Sequence, residues 1–254
     1  MDNFLTMNDL QEMTLKEIYG LAREYKISYY SQMNKKELSL AVLRAQAKKK
    51  SFVEMEGVLD IVGNDGYGFL RPINYGSSQE DIYISASQIT RFGLRNGDLV
   101  GGEARHPKPG ERYYGLMRVT SVNNKDPEEA KQRPHFPALT PIYPNQQLKL
   151  ETTSNILSTR LVDLFSPIGF GQRGLVVAPP KAGKTTLLKA IANGITTNYP
   201  DVKLIVLLID ERPEEVTDLE RSIKGEVVYS TFDQEPRNHT RVSELVLQRA
   251  LRLV

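Results

Sequence analysis

Residues 178–185, Ala-Pro-Pro-Lys-Ala-Gly-Lys-Thr, decide how the second half of this 254-residue chain is expected to fold. They match the pattern G-x-x-x-x-G-K-[ST], with Ala178 in place of the first glycine. Leu175-Val176-Val177 just before the loop predicts a short strand, and residues 185–193 predict a helix that Gly194 would end. A glycine-containing turn between a strand and a helix is where backbone N–H groups converge on a phosphate.

Each residue type in this loop has a chemical reason to be there. Gly183 permits close approach of the backbone to a phosphate, and Lys184 would reach the β- and γ-phosphates. The hydroxyl of Thr185 would ligate Mg²⁺. In this strand–loop–helix setting, the motif predicts phosphate binding rather than an incidental turn rich in glycine and lysine.

Downstream of the loop, strands and helices are predicted to alternate. Leu204 to Ile209 is an apolar run typical of a strand covered on both faces of a sheet. Pro213 suits the first turn of a helix, Val227-Val228-Tyr229 predicts a third strand, and Thr240 to Val254 predicts a last helix. The pattern favours a parallel α/β domain.

Two carboxylates end the apolar run, where ligands of open α/β sheets bind. Asp210 could be the acid linked to Mg²⁺, or Glu211 could be the base that polarises an attacking water. A third alternative is a structural ion pair of one of them with Arg212. The spacing alone leaves these alternatives open.

Residues 52–122 favour a small β-barrel, because short strands are separated by glycine-rich turns. Tyr67, Phe69 and Arg71 are spaced by two, so one face of a strand would carry all three. The rings could stack on unpaired bases, or they could be barrel core. This stretch has seven Lys and Arg against nine Asp and Glu, which argues against duplex binding.

Other segments set the domain boundaries. A capping box at Thr14 and Glu17, and a second start signal at Asn34, predict short helices before a run of three lysines at 48–50. Five prolines between 127 and 144 predict a linker with limited flexibility. We therefore expect a helical domain at 1–48, a barrel at 51–125, a linker at 126–154 and a P-loop domain at 155–254.

The composition narrows the function further. With no cysteine and three histidines, the chain has no disulfide, thiolate zinc site or cysteine nucleophile, and a histidine-built metal site is not expected. No apolar run approaches the length of a membrane span. A formal net charge of +2 says little about partners. The absence of cysteine fits a reducing cytosol, so a cytoplasmic location is expected.

Several stretches together resemble the Rho family of bacterial transcription termination factors. In the barrel region these are Gly66-Tyr67-Gly68-Phe69-Leu70-Arg71, Asp81-Ile82-Tyr83 and Gly110-Glu111-Arg112-Tyr113. In the P-loop region these are Ser166-Pro167-Ile168-Gly169, Gly171-Gln172-Arg173-Gly174, Ala178 to Thr185, Leu207 to Val216 and Lys224-Gly225-Glu226-Val227-Val228.

The resemblance implies a multidomain α+β fold: a small helical domain, an OB-fold or cold-shock-like barrel, and a partial RecA-like P-loop domain. It also implies a homohexameric, ATP- and Mg²⁺-dependent helicase that binds cytosine-rich single-stranded RNA and releases it from RNA polymerase. A rotary-synthase-type ATPase shares the P-loop, but the barrel with its Gly-Tyr-Gly-Phe run argues against that class.

The resemblance also implies site residues. RNA would contact Gly66, Tyr67, Gly68, Phe69, Leu70, Arg71, Asp81, Ile82, Tyr83, Glu111, Arg112 and Tyr113. ATP would contact Gly169, Phe170, Gly171, Gln172, Arg173, Gly174, Lys181, Ala182, Gly183, Lys184, Thr185, Thr186 and Arg212. Lys184 and Glu211 would be catalytic. Phe170 departs from the family, in which a basic residue is common at this position.

The end of the chain is a further departure. Family members continue with a metal-linked aspartate and an arginine finger, which do not occur before Val254. The expectation is a fragment or truncated product, and the alternative function is binding of RNA and nucleotide without hydrolysis.

Overall fold

The computed structural model describes residues 5, 7–25, 27, 29–47, 52–63, 65–108, 110–179 and 181–254. The lysine run at 48–50 and Pro180 of the loop lie outside these residues. The chain divides into two units, one formed by residues up to 137 together with residues 240–254, and the other by residues 138–239.

The N-terminal segment is helical, as predicted. It contains α1 (Met7–Glu12), α2 (Leu15–Glu24), a 3₁₀ turn (Tyr30–Gln32) and α3 (Lys35–Ala47). The predicted capping box is present, since the backbone N–H of Thr14 donates to Glu17 and the Thr14 hydroxyl accepts from the Glu17 backbone. Asn34 and Glu37 exchange the same bonds at the start of α3. These reciprocal bonds satisfy N–H groups that a helix start leaves free.

Five strands close the predicted barrel. They are β1 (Val53–Ile61), β2 (Gly68–Arg71), β3 (Ile82–Ile84), β4 (Leu99–Arg105) and β5 (Tyr114–Val122), in the order β1-β2-β3-β5-β4, with β5 pairing back through β4 to β1. Helix α4 (Ala86–Phe92) lies between β3 and β4 and begins with a capping box at Ser85. Because the barrel is closed, none of its strands is an unpaired edge.

Alternation along the strands fills the barrel. In β3, Ile82 and Ile84 have no exposed surface, whereas Tyr83 between them is 41% exposed. Leu59, Leu70 and other aliphatic side chains complete a single core cluster. The fold class inferred from the sequence is confirmed for this part of the chain.

The proline-rich segment is partly structured. Helix α5 (Pro127–Lys131) starts at a cap by Asp126, and its residues Pro127 and Ala130 are buried. A 3₁₀ turn (Phe136–Ala138) follows, and then β6 (Gln147–Leu148), α6 (Leu157–Phe165) and β7 (Ile168–Gly169), with β6 and β7 paired antiparallel. The domain boundaries remain predictions.

The P-loop region alternates as expected. It contains α7 (Lys184–Asn198), β8 (Ile205–Glu211), α8 (Pro213–Ser222), β9 (Glu226–Thr231) and α9 (Pro236–Leu253), with β8 and β9 parallel. Pro213 occupies the first turn of α8, as predicted.

Two sequence predictions for this region are wrong. Leu175-Val176-Val177 is not a strand: these residues pair with no strand among those the structure describes, and Leu175 and Val177 are 87% and 83% exposed. An apolar segment becomes a strand only when a neighbouring strand accepts and donates its backbone hydrogen bonds, and this segment has no such neighbour among the described residues. Gly194 does not end its helix; it is buried inside α7, where a Cβ would lie 2.6 Å from the Leu150 carbonyl oxygen. Close packing, not a helix stop, explains this glycine.

Candidate nucleic-acid interface and nucleotide-binding loop

Four aromatic rings meet on the outside of the barrel, and we call them the ring cluster: Tyr67, Phe69, Tyr83 and Tyr113. The centroid of the Phe69 ring lies 6.0 Å from that of Tyr67, 6.1 Å from that of Tyr83 and 5.0 Å from that of Tyr113. Tyr67 and Tyr83 are 5.8 Å apart with a tilt of 35°. The strand register explains the meeting, because Phe69 on β2 lies opposite Tyr83 on β3.

The ring cluster is not barrel core. Tyr67, Phe69 and Tyr113 are half-buried and Tyr83 is exposed. The neighbours of these rings along the strands, Leu70 among them, point into the core instead. Because successive side chains of a strand point to opposite faces, the pleat separates the filled interior from the aromatic rings outside.

Beneath the rings lies a chain of alternating charges. Arg71, which is 4% exposed, donates from Nε and Nη2 to one carboxylate oxygen of Asp60 at 3.1 and 2.8 Å, and from Nη1 to Asp81. Its guanidinium lies 5.1 Å from the centroid of Phe69. Asp81 is fully buried and accepts from the backbone and hydroxyl of Ser78, both at 3.1 Å. Burial raises the pKa of Asp81, while Arg71 and Ser78 oppose that rise.

The third predicted contact region is also held by an ion pair. Glu111 accepts two bonds from the guanidinium of Arg105, at 2.6 and 2.9 Å, and one from the backbone of Lys108 at 3.1 Å. These bonds lower the pKa of Glu111 to about 2. The guanidinium of Arg112 lies 5.4 Å from the Tyr113 ring, so a cation accompanies the rings at this edge.

The remaining predicted RNA contacts have different surroundings. The side chains of Leu70 and Ile82 lie in the barrel core with no exposed surface, so they support the ring cluster from inside. Gly66 has φ of +71°, and a Cβ at Gly68 would lie 2.9 Å from the Asp60 carbonyl oxygen. The glycines beside Tyr67 are therefore required by the backbone as well as clearing space near the rings.

The sequence interpretation missed two residues of this site. Arg241 on α9 donates from Nε to Asp60 at 3.2 Å and from Nη1 to the Ser77 hydroxyl at 2.8 Å. Asp60 thus joins Arg241 to Arg71. Asp60 on β1 pairs with Phe69 on β2, so the alternation of β1 could have indicated that Asp60 belongs to this site. No local signal indicates Arg241, which is 181 positions away from Asp60 along the chain.

The P-loop leads into α7 in a form suited to an anion. Gly183 is the N-cap of α7 with φ of 88°, and no side chain caps the helix. As a glycine, this N-cap offers no side-chain acceptor to the first N–H groups of α7, and Lys184 and Thr185 stand in the first turn. These features fit a nucleotide phosphate with its magnesium ion. Lys189 of α7 pairs with Asp218 of α8, which ties the helix following the loop to the next one.

Residues 169–174 form a second predicted nucleotide-contact segment. The backbone N–H of Gly169 donates to the Gln172 side chain at 2.8 Å, and the Gln172 N–H donates to the Gly169 carbonyl at 3.0 Å. The ring of Phe170 meets that of Tyr199 edge-on at 5.3 Å. At this position, the residue that departs from the family makes an aromatic contact with the end of α7.

The carboxylates after the apolar strand occupy a distorted strand end. Asp210 has φ of 60° at a register shift between β8 and β9, and Glu211 is the last residue of β8 and is half-buried. Within the described part of the chain, neither carboxylate forms an ion pair with Arg212, which precedes α8. The structural ion pair proposed as an alternative is therefore not formed.

A small closed barrel with surface aromatic rings, followed by a P-loop segment, defines a nucleic-acid-binding protein with a nucleotide-binding domain. Three family sequence models agree. The Rho termination factor N-terminal domain matches residues 9–51, the Rho termination factor RNA-binding domain matches residues 55–128, and the nucleotide-binding domain of the ATP synthase alpha/beta family matches residues 158–238.

Individual relatives identify the family. The chain is 64% identical over 250 residues to transcription termination factor Rho of Bacillus subtilis, 47% over 252 residues to that of Thermotoga maritima, and 49% over 252 residues to that of Aquifex aeolicus. These alignments cover 97–98% of this chain and 58–59% of each relative. Over the part of those proteins that it spans, the chain belongs to the Rho family.

Two searches of the described residues bear on other classes of site. None of the helices in the described part of the chain is both long enough and apolar enough to cross a membrane. The described residues also contain no group of three or more His, Asp and Glu side chains that could hold a metal ion by themselves.

Proposed function

We propose that this protein binds single-stranded RNA on the ring cluster and ATP with Mg²⁺ at the P-loop. In the whole protein, these two activities would serve an RNA-dependent ATPase and helicase that terminates transcription. Its partners would be cytosine-rich nascent RNA, the RNA polymerase complex and further copies of itself in a homohexamer. It would act in the cytoplasm.

The observation that carries the proposal is the ring cluster itself. Four aromatic side chains stand together outside a barrel whose interior is already filled by aliphatic residues. Folding therefore does not explain their surface position, whereas base stacking does. Each base stacked on an aromatic ring contributes roughly 1–3 kcal/mol.

The electrostatics favour stacking over phosphate contacts. The cations near the rings are largely engaged: Arg71 is paired with Asp60 and Asp81, and Arg105 with Glu111. A single strand offers unpaired bases that rings can reach, whereas a duplex offers mainly phosphates. We therefore expect unpaired RNA to bind with a shallow salt dependence.

The nucleotide part of the proposal rests on the start of α7. Backbone N–H groups there would hold the phosphates, Lys184 would neutralise their charge, and Thr185 would ligate Mg²⁺. Bound Mg²⁺ would supply charge stabilisation between the phosphates. Glu211, half-buried at the end of β8, is the carboxylate that would orient an attacking water.

Fluorescence anisotropy with a labelled oligocytidine tests the RNA site. The double variant Tyr67→Ala/Phe69→Ala is expected to lose at least about tenfold in affinity, since two stacking surfaces are removed. Tyr143→Ala is the matched control, because Tyr143 is a 91% exposed tyrosine outside the ring cluster. Equal affinity of the double variant and the control would refute the stacking surface.

Turnover tests the ATPase assignment. The full-length protein is expected to hydrolyse ATP when oligocytidine is added, and Lys184→Ala is expected to abolish this turnover while RNA binding is retained. Turnover that does not respond to RNA would contradict the assignment. The same assay on the 254-residue chain distinguishes the alternative, in which this chain binds RNA and nucleotide without hydrolysis.

A further inference from the structure

A second group of charged side chains lies away from the ring cluster and outside every predicted site. We call it the arginine cluster: Arg95, Arg133, Arg249 and Arg252. Three of its members are joined by hydrogen bonds through one hub, Asp98 and Asn123. Asp98 has no exposed surface, and it accepts from Arg133 and from the Asn123 amide, the latter at 2.9 Å.

Arg249 and Arg95 attach to the same hub, whereas Arg252 contacts Gln248 instead. Arg249 donates from Nη1 to the Asn123 side-chain oxygen at 2.6 Å. Arg95 donates from its backbone N–H to Asp98 at 2.7 Å, and its guanidinium reaches the carbonyls of Pro134 and Arg133 at 3.3 and 3.4 Å. Arg252 lies one turn beyond Gln248 on α9 and donates to that residue at 3.4 Å.

The packing that brings these groups together is specific. Gly97 has φ of +85°, and its Cα abuts the backbone of α9 at Gln248 and Arg249, so closely that a Cβ would overlap it. This contact seats the end of α9 against the turn between α4 and β4. It therefore places the guanidinium groups of α9 beside those of Arg95 and Arg133.

The cluster has more positive charge than its hub neutralises. Four guanidinium groups lie in this cluster, and Asp98 is the carboxylate that the described contacts bring to it, in an ion pair with Arg133. Burial, with the nearby charges of Arg133 and Arg252, lowers the pKa of Arg95, and Asp98 offsets this only in part. Such crowding of like charges costs free energy unless an anion compensates it.

Two donors in the cluster have nothing to bind. Among the residues that the structure describes, no hydrogen-bond acceptor lies within reach of Nε of Arg133 or Nε of Arg249, although both atoms are buried. Arg249 as a whole is only 5% exposed. Buried donors on charged groups are almost always paired, so each such orphan needs an explanation.

We propose that the arginine cluster is a binding site for a phosphate-type oxyanion, whose oxygens accept the Nε hydrogens of Arg133 and Arg249. The half-buried side chains of Arg95 and Arg252 add further positive charge to this binding site. Guanidinium groups suit this ligand because their planar N–H donors match the oxygens of a phosphate group. The phosphate comes either from free inorganic phosphate or from the RNA backbone.

NMR titration of the full 254-residue chain with inorganic phosphate, at constant ionic strength, tests the site. The chain carries Lys184→Ala, so that phosphate at the P-loop does not contribute. We expect the side-chain Nε–H signals of Arg133 and Arg249 to shift with one common dissociation constant. Arg95→Gln is expected to weaken binding by about tenfold, because a charge-assisted contact is lost. Arg91→Gln, at an exposed arginine of α4, is the control and leaves binding unchanged.

The outcomes separate cleanly. Signals of Arg133 and Arg249 that do not respond to phosphate, or equal binding by the Arg95→Gln and Arg91→Gln chains, overturn the proposal. Given phosphate binding, oligocytidine affinity measured against salt identifies the source. A salt slope reduced by about one in Arg249→Gln assigns the site to an RNA phosphate, and an unchanged slope assigns it to the free anion.

Discussion

The barrel and the P-loop region bury their apolar residues to very different extents. In the barrel, Leu59, Leu70, Ile82 and Ile84 have no exposed surface. In the P-loop region, a smaller cluster contains the buried residues Ala192, Leu219 and Ile223, and the apolar run at Leu175 to Val177 is exposed.

The difference follows from how each sheet is completed. The barrel closes on itself within about 70 residues through four antiparallel pairs and one parallel pair, so every strand finds its partners within that stretch of the chain. A parallel sheet needs a crossover for each added strand and layers of helices on both faces. Here β8 and β9 form a two-stranded sheet in the described part of the chain, and it cannot bury an apolar strand from all sides.

The largest expected effect is the difference in unfolding free energy between truncating a buried leucine of the barrel and truncating an exposed leucine of the P-loop region. Leu59→Ala is expected to lower the free energy of unfolding of the barrel by about 2–5 kcal/mol, because it removes buried methyl groups and leaves a cavity. Leu175→Ala, at an 87% exposed position, should change stability by less than about 0.5 kcal/mol. Urea unfolding followed by circular dichroism measures both. Comparable losses would contradict the contrast.

Two helical glycines sharpen the comparison at the level of packing. Gly194→Ala in α7 should destabilise the P-loop region by about 1–3 kcal/mol, because the new Cβ meets the Leu150 carbonyl. Gly20 in α2 has nothing within 4 Å of a built Cβ. Gly20→Ala should therefore stabilise its helix by roughly 0.5–1 kcal/mol. Thermal unfolding of the two variants should give shifts of opposite sign.

The charges beneath the ring cluster should have a moderate effect on RNA binding. Asp60→Asn and Arg241→Gln are each expected to weaken oligocytidine binding severalfold, because Arg71 loses part of the ionic chain that holds it under Phe69. The double variant should lose less than the sum of the two, since both act on one chain of contacts.

Salt dependence separates this positioning role from direct phosphate contact. Loss of a positioning residue should leave the slope of affinity against salt unchanged, whereas loss of a phosphate contact lowers it by about one. Additive losses together with a lower slope would show that Arg241 binds RNA itself.

The smallest expected effect is the pH dependence of the Glu111 ion pair. Its pKa in the folded chain is about 2, below the ordinary 4.5, because Arg105 and Lys108 donate to the carboxylate. Its contribution to stability is therefore complete above pH about 4.5 and is lost as the pH falls toward 2. Carboxyl NMR titration should show the low pKa, and Arg105→Gln should return it toward the ordinary value. An unperturbed midpoint in the parent chain would show that the pair does not form in solution.

Local signals in the sequence specified much of this molecule. The helix starts at Thr14 and Asn34, the alternation around Tyr83 and the turn glycines depend on contacts between residues close in the chain, so reading the sequence recovers them. The same holds for the P-loop, whose Gly183 adopts the positive φ that the motif requires. The ring cluster was also foreseeable, although its place outside the barrel rather than in the core was not.

Long-range packing set the rest. Residue types alone predicted a strand at Leu175 to Val177 and a helix stop at Gly194. Among the described residues the first segment has no strand to pair with, and Gly194 packs against Leu150, which is distant in the chain. The Asp60–Arg241 pair and the arginine cluster likewise join groups from opposite ends of the sequence. Such contacts leave no periodic trace, because the geometry that creates them exists only after the chain has folded.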